Sequence, residues 1–383
     1  MAVRVLLSCG ETSGDLYAAA LVRALRAEAP DIEVEGLGGP AFVAAGGRAL
    51  VDAAGLAVTG FAEIPARLPR LRRAQRQLVE RARQGRPDVL VVIDYFGFNS
   101  RLARQVAALG IPVVYYVSPQ VWAWRPGRVR TIQAQATEML VIFPFETAIY
   151  EAADVPVRYV GHPLVDQVAA AESRTAARAS LGLSDDNEVL AVLPGSRASE
   201  VRRLLPTLTE AAARLRVARP GLRLLCPRGP GLDEALFAPW LALTGAQLLE
   251  GQSDRVLAAA DVALLASGTA TVQAALHDVP MVVVYRVSPL EYAIGRRFVR
   301  VPYFAMVNLL AGRRVVPELI QHDCTPEQIV RAAHPLFEHG EARATMRAGL
   351  ADVRQRLGGP GASARAAAAI LAIAHGGSSW SSR

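Results

Sequence analysis

Short apolar runs alternate with longer amphipathic stretches from one end of the chain to the other. In the first half the runs Arg4–Ser8, Ile32–Leu37, Val89–Asp94, Pro112–Val117, Met139–Ile142 and Val157–Val160 read as strands. In the second half Val189–Leu193, Leu222–Cys226, Val262–Leu265 and Met281–Tyr285 do the same. Strands separated by helical patterns argue for parallel sheets covered by helices. Val165–Ser184 is alanine-rich, polar and poor in strand formers, which places a domain boundary near 170–185. The pattern therefore predicts an α/β chain of two doubly wound, Rossmann-like domains, 1–172 and 173–345. Helices at 346–375, interrupted at Gly358-Gly-Pro-Gly361, should pack back on the first domain or on a partner chain, and 376–383 should fray. Doubly wound sheets bind ligands beyond the carboxyl ends of their strands, so the two domains should face a cleft.

The loops after the strands are accordingly where chemistry is sought. Leu190-Ala-Val-Leu-Pro-Gly-Ser-Arg197 runs from a strand into a tight glycine turn, with Ser199 or a neighbour able to cap the next helix. A helix N-terminus offers unpaired N–H groups and partial positive charge, and Arg197 adds a planar fork of donors, so Gly195, Ser196 and Arg197 suit a phosphate. Ser267-Gly-Thr269 repeats the pattern after another strand, and the two turns together could hold a nucleotide diphosphate. In the first half, Gly10-Glu-Thr-Ser-Gly-Asp15 is a small polar loop in which Ser13 or Asp15 can cap a helix and Glu11 is a candidate for the cleft. Asp94 ends an apolar strand, where a carboxylate is held rigidly and can serve as a base; capping a helix or pairing with an arginine is the alternative. Trp122 and Trp124 with Arg125, Arg128 and Arg130 could form an aromatic platform for a sugar, buttress a loop, or stack on single-stranded nucleic acid.

Composition narrows these options. The chain is 383 residues long, 52% hydrophobic and carries a formal charge of +7. All 42 basic residues are arginine, which excludes a lysine Schiff base, a lysine base and the usual P-loop. Cys9, Cys226 and Cys324 are far apart, and the six histidines form no i, i+4 pair, so no metal site is expected. The N-terminus enters a strand pattern directly, without signal-peptide features, and the expectation is a cytoplasmic protein. The segment 68–83 has apolar positions at 68, 71, 78 and 82 beside Arg70, Arg72, Arg73 and Arg76. With Phe61 and its neighbours it could lie on an anionic membrane surface, or it could be an ordinary amphipathic helix against the sheet. Tyr292–Phe304 is a second basic, aromatic patch. No RNA-binding signature accompanies the charge, and nucleic acid is not expected as a partner.

Six motifs in order resemble the lipid-A-disaccharide synthases, membrane-associated glycosyltransferases of the GT-B fold. They are Gly10-Glu-Thr-Ser-Gly-Asp15, Tyr116-Val-Ser-Pro119 with Val121-Trp-Ala-Trp-Arg125, Gly161-His162, Leu193-Pro-Gly-Ser-Arg197 with Glu200, Leu264-Leu-Ala-Ser-Gly-Thr-Ala270, and Asn308-Leu-Leu-Ala-Gly-Arg313. Two positions depart from the family pattern: Gly97 stands where a second carboxylate is usual, and Gln273 where glutamate is common. Glutamine keeps an acceptor oxygen for ribose hydroxyls but loses the charge, so weaker binding is expected there.

The resemblance implies transfer of 2,3-diacylglucosamine from UDP-2,3-diacylglucosamine to the 6-hydroxyl of 2,3-diacylglucosamine 1-phosphate. The products are a β-1,6-linked lipid A disaccharide 1-phosphate and UDP. No cofactor beyond the UDP carrier is implied. Asp94 is the implied base with Glu11 as the alternative, and Arg197 the group that meets the leaving charge. Gly195, Ser196, Glu200, Ser267, Gly268, Thr269 and Gln273 are implied at UDP, and Ser13, Asp15, Asn99, Trp122, Trp124, Arg125, His162 and Asn308 around the acceptor. Phe61 and the arginines of 70–76 would meet the cytoplasmic face of the inner membrane, and the chain would be a monomer or homodimer. Rival readings are a UDP-N-acetylglucosamine 2-epimerase, another glycolipid glycosyltransferase, or a non-catalytic nucleotide-binding or membrane-docking protein.

Overall fold

The computed structural model describes residues 2–53, 56, 64–122, 126–288, 292 and 301–376. The chain divides into two units. One runs up to Asp166 and takes in the chain from Gly359 onward; the other is Gln167–Gly358.

The first unit is built on a seven-stranded parallel sheet of β1 (Arg4–Cys9), β2 (Glu33–Gly38), β3 (Arg48–Asp52), β4 (Val89–Ile93), β5 (Val113–Tyr116), β6 (Glu138–Val141) and β7 (Val157–Tyr159), in the order β3-β2-β1-β4-β5-β6-β7. The second is built on β8 (Val189–Leu193), β9 (Arg223–Arg228), β10 (Gln247–Glu250), β11 (Val262–Ala266), β12 (Met281–Tyr285) and β13 (Glu318–Ile320), in the order β10-β9-β8-β11-β12-β13. Both sheets reverse direction of winding beside their first strand. In the first, β1 lies against β4 with Cys9 opposite Ile93; in the second, β8 lies against β11 with Leu193 opposite Leu265. A crevice opens at such a reversal, at the carboxyl edge of the sheet. β4, β8 and β11 are buried along their whole length, which is why they read as unbroken apolar runs.

Three strands that the apolar pattern does not predict, β3, β10 and β13, are the short edge or near-edge ones. Their residues are only partly buried, and Arg-Ala-Leu-Val-Asp or Gln-Leu-Leu-Glu carries little strand signal. The polar stretch 165–184 is not a loose connector. It forms helices Pro163–Ala169 and Arg174–Ser180. The buried Arg178 donates to Ala259 O, Ser184 O, Asp185 O, Asn187 O and Asp261 Oδ2, which fixes this stretch to the second unit.

Glu341–Ala374 has the apolar content of a membrane-crossing helix, but it is broken into Glu341–Leu357 and Ala362–Ala374, with Gly358 and Gly361 at positive φ. The first piece belongs to the second unit, where it packs on Thr269–Leu276 and Met306–Ala311. Only the second piece joins the first unit, packed along helix Thr12–Glu28. Asp166 accepts from the amides of Gly361, Ala362 and Ser363 at its N-terminus, and Arg365 Nε donates to Val160 O at 2.8 Å. Of the helices expected to return from 346, interrupted at these glycines, the part before them stays with the second unit and the part after them joins the first. The segment predicted as an amphipathic helix over 68–83 lies in Ile64–Gly85. Ala74, Leu78 and Ala82 are buried in the core under β1, β2 and β4, with Leu71 and Val79 against them. Arg70, Arg72, Arg73 and Arg76 are exposed.

Candidate active site

At the winding reversal of the first unit the chain presents two carboxylates, Glu11 after β1 and Asp94 after β4, both partly exposed. β4 stops at Ile93, one residue short of the expected end, because Asp94 and Tyr95 both adopt φ of 45°. Two consecutive side-chain-bearing residues in the left-handed region cost roughly 1–3 kcal/mol each and persist only where the surroundings impose them. The surroundings here are specific. Asn99, fully buried, donates from Nδ2 to Asp94 O at 2.8 Å, Ile93 O at 3.2 Å and Ser8 O at 3.3 Å. Ser8 Oγ donates to Asn99 Oδ1 at 2.6 Å. Tyr95 donates to Leu56 O at 2.7 Å and stacks on Phe98. Its ring lies over Gly10, where an added Cβ would come within 2.2 Å of it. Asn99 is therefore a stitch between β1 and β4 that holds the Asp94 backbone.

Asp15 is buried as well. It sits in the first turn of Thr12–Glu28 but caps a different helix: its buried carboxylate accepts from Gly39 N at 2.8 Å, Ala41 N at 2.9 Å and Phe42 N at 3.1 Å, at the start of Pro40–Ala44. Ser13 is part-buried in the same turn as Asp15. His162 is 2% exposed, its Nδ1 accepts from Leu164 N at 3.1 Å, and its ring packs on Tyr17 and Phe143. Burial pushes its pKa down to about 3, so the imidazole is neutral and packed within the first unit.

Trp122 is part-buried and its Nε1 donates to Glu146 Oε1 at 3.1 Å, while its ring meets Phe145 edge-on. Glu146 carries no functional signal in the sequence, although it follows a strand as Asp94 does. Burial raises its pKa to about 7, against the lowering effect of hydrogen bonds from Trp122, Phe143 N, Ser118 and Ile142 N. Trp124, Arg125 and Phe61, with most of the Tyr292–Phe304 patch, lie outside the described residues.

The second unit's reversal carries amides instead of carboxylates. Gly195 has φ of 127°, and a Cβ there would lie 2.5 Å from Glu200 Oε2. Glu200 Oε2 accepts from Ser196 N at 3.0 Å and Arg197 N at 3.3 Å, closing the turn into helix Ala198–Ala218. The cap is thus Arg197 with Glu200, not Ser199, and Glu200 stiffens the turn from within. The Arg197 side chain is 44% exposed, with Nη1 3.5 Å from Glu200 Oε1.

The neighbouring turn after β11 is open. Gly268 is the N-cap of Thr269–Leu276 at φ 153° with no side-chain cap, and Gly268 and Thr269 are exposed. Ser267 Oγ is turned to Phe304 O at 2.8 Å. Asn308, expected around the acceptor, is fully buried. It accepts from Val315 N and Val316 N and donates to Val316 O and Glu318 Oε1, all at 2.7–2.9 Å, so it is a structural clamp. Gln273, 9% exposed, donates from Nε2 to Asp254 Oδ1 at 2.7 Å, a partner that no sequence motif singles out. Among the described residues no group of three or more His, Cys, Asp or Glu side chains is arranged to hold a metal ion.

Two parallel doubly wound units, each with its polar groups at the winding reversal, define a GT-B-type fold. Solved structures agree: S. aureus MnaA with UDP (TM-score 0.66, 12% identity, 98% and 97% of the two chains), the UDP-GlcNAc 2-epimerase of Neisseria meningitidis (0.61, 12%, 97% and 99%) and the glycosyltransferase SnogD of Streptomyces nogalater (0.56, 21%, 98% and 100%). Residues 5–373 match the family described as lipid-A-disaccharide synthetase. The lipid-A-disaccharide synthase of Myxococcus xanthus is 46% identical over 97% of each chain, and that of Alkalilimnicola ehrlichii 44% identical over 98% of this chain and 100% of its own. The chain belongs to the lipid-A-disaccharide synthase family and is a glycosyltransferase of lipid A biosynthesis.

Proposed function

We propose that the protein transfers 2,3-diacylglucosamine from its UDP form to the 6-hydroxyl of 2,3-diacylglucosamine 1-phosphate. The products are the β-1,6-linked disaccharide 1-phosphate and UDP. The observation that carries this reading is Asp94, braced in a strained backbone at the end of β4 in a chain of this family. Its carboxylate takes the proton from the 6-hydroxyl as that oxygen attacks the anomeric carbon of the donor. The bond from that carbon to the β-phosphate oxygen breaks, and UDP leaves with the electron pair, inverting the configuration. Glu11 orients the acceptor or stands in as base. Arg197 and the amides of the turn at Gly268–Thr269 meet the diphosphate charge, and Gln273 accepts from the ribose. Both sugars carry acyl chains held in a bilayer. The exposed Arg70, Arg72, Arg73 and Arg76 support peripheral attachment at the cytoplasmic face of the inner membrane, while the apolar side of the same helix is taken by the core.

The test is a product assay with both acylated substrates in detergent, run with the wild type and Asp94→Ala. Disaccharide phosphate and UDP from the wild type, with collapse in a variant that still binds UDP, supports the function and the base. Product from both proteins moves the base to Glu11. UDP binding without disaccharide from the wild type sinks the reading and favours an epimerase-like or non-catalytic protein.

A further inference from the structure

Asp254 opens helix Ser253–Ala259 and is the meeting point of three polar side chains from two other helices and their flanks. Gln273 Nε2 and His277 Nε2 reach its Oδ1 at 2.7 Å and 2.9 Å, and Gln167 Nε2 donates to its Oδ2. A carboxylate only accepts hydrogen bonds. Asp254 therefore dictates the orientation of all three partners: His277 carries its proton on Nε2, and Gln273 turns its NH2 group inward. Burial raises the Asp254 pKa, but the hydrogen bonds from His277, Gln167 and Gln273 outweigh it and hold the group below the ordinary aspartate value. It is thus ionised at neutral pH, and with its nitrogen turned to Asp254 the amide at 273 directs its carbonyl oxygen the other way.

We propose that Asp254 is a positioning residue for nucleotide binding: by anchoring the Gln273 amide through its nitrogen, it presents the carbonyl oxygen to a ribose hydroxyl and makes a carboxylate at 273 incompatible with this chain. The proposal rests on the reading of Gln273 as a nucleotide ligand. It explains the departure at 273 as half of a matched pair. A glutamate there would set two ionised carboxylates at hydrogen-bond distance, so it would turn away from Asp254 or lose its charge, and either response removes the acceptor from its place. Gln273→Glu should therefore harm this protein unless position 254 changes with it.

The test is a double-mutant cycle on the full chain, with UDP affinity measured by calorimetry and thermal melting measured without ligand, for Gln273→Ala, Gln273→Glu, Asp254→Asn and Asp254→Asn/Gln273→Glu. Gln273→Ala should weaken UDP binding about fivefold or more. Gln273→Glu should weaken it at least as much, Asp254→Asn by less than about threefold, and the double variant should return to within about threefold of the wild type. Asparagine keeps an acceptor for His277 and can donate to a glutamate, so rescue of UDP affinity separates positioning from a general loss of packing. Additive affinities in the cycle, or a Gln273→Glu variant that binds UDP as tightly as the wild type, overturn the proposal alone. Unchanged affinity in Gln273→Ala overturns the nucleotide reading of 273 and the proposal with it, and non-additive melting would then mark the cluster as structural.

Discussion

The two winding reversals share a topology and differ in the sign of what they display. β1 and β4 end in Glu11 and Asp94; β8 and β11 end in glycine turns with Ser196, Arg197, Gly268 and Thr269. The supports differ in kind as well. In the first unit side chains brace the backbone, with Asn99 and Ser8 tying two strand ends together under a strained Asp94. In the second unit a missing side chain makes the turn possible, since Gly195 leaves room for Glu200 to fold over it. The fold fixes where a ligand goes, and the residues at the strand ends decide whether that place takes a proton or an anion.

The largest effect should come from the proton-taking side. Asp94→Asn preserves volume and the Asn99 contacts to the backbone but removes the base. Product formation should fall about 10²–10⁴-fold, with UDP affinity within about twofold of the wild type. A parallel loss of UDP affinity would mean that the two reversals do not divide the chemistry between them.

A second carboxyl of the first unit sharpens the same division. Glu146 titrates near neutrality in the structure and near 4.5 when unfolded, because burial raises it to about 7. Between those values the folded chain holds a proton that the unfolded chain has released. Its contribution to stability is therefore fully present below about pH 4.5 and is lost as pH rises through about 7, a change on the order of 3 kcal/mol at most. Glu146→Gln should flatten the fall in unfolding free energy between pH 5 and pH 8, read by urea denaturation. It should leave the pH dependence of product formation in place, since the base proposed for the reaction is Asp94. If the rate profile flattens with the stability profile, the acid–base chemistry lies at Glu146 instead.

Much of this is legible in the amino-acid sequence alone, and the misses have physical causes. Buried central strands announce themselves as apolar runs, and the doubly wound rule directs attention to the loops after them, where Asp94, Gly195 and Gly268 stand. The edge strands escape because half-exposed backbone pairs without needing apolar side chains, as in Arg48–Asp52. Motif membership puts Asp15, Asn99, His162 and Asn308 around the acceptor, yet all are buried and use their polar atoms on the protein itself. A motif residue that holds a loop in shape looks the same in sequence as one that touches a substrate. Asp254 and Glu146 escape for the opposite reason: their partners lie 19 and 24 residues away, beyond the reach of any local pattern.

The glycines of the second unit offer a direct contrast. An alanine is strained at both, at φ 127° and 153°, but Gly195→Ala must also displace Glu200, whereas at Gly268 no atom lies within 4 Å of an added Cβ. Gly195→Ala should cost about 1–3 kcal/mol of UDP binding and stability together. Gly268→Ala should lower UDP affinity with a smaller change in melting, since its methyl meets space that a ligand would need. Equal melting losses would mean that Glu200 is not what the first turn is built around.

The smallest expected effect concerns Glu200 itself, where two opposing terms can be weighed. Its carboxylate caps the helix and pairs with Arg197, but it also sets a negative charge beside the place proposed for a diphosphate. An exposed i, i+3 pair contributes about 0.3 kcal/mol and a charged cap somewhat more, up to about 1 kcal/mol. A like-charge contact at a protein surface is also on the order of 1 kcal/mol. Glu200→Gln keeps an acceptor for the Ser196 and Arg197 amides and removes the charge, so the cap largely survives while the repulsion does not. The variant should melt slightly lower and bind UDP about threefold tighter at low ionic strength, with the gain shrinking as salt screens it. Weaker binding at every salt concentration would show that Glu200 serves by aiming Arg197, and that the second reversal depends on a braced side chain as much as the first.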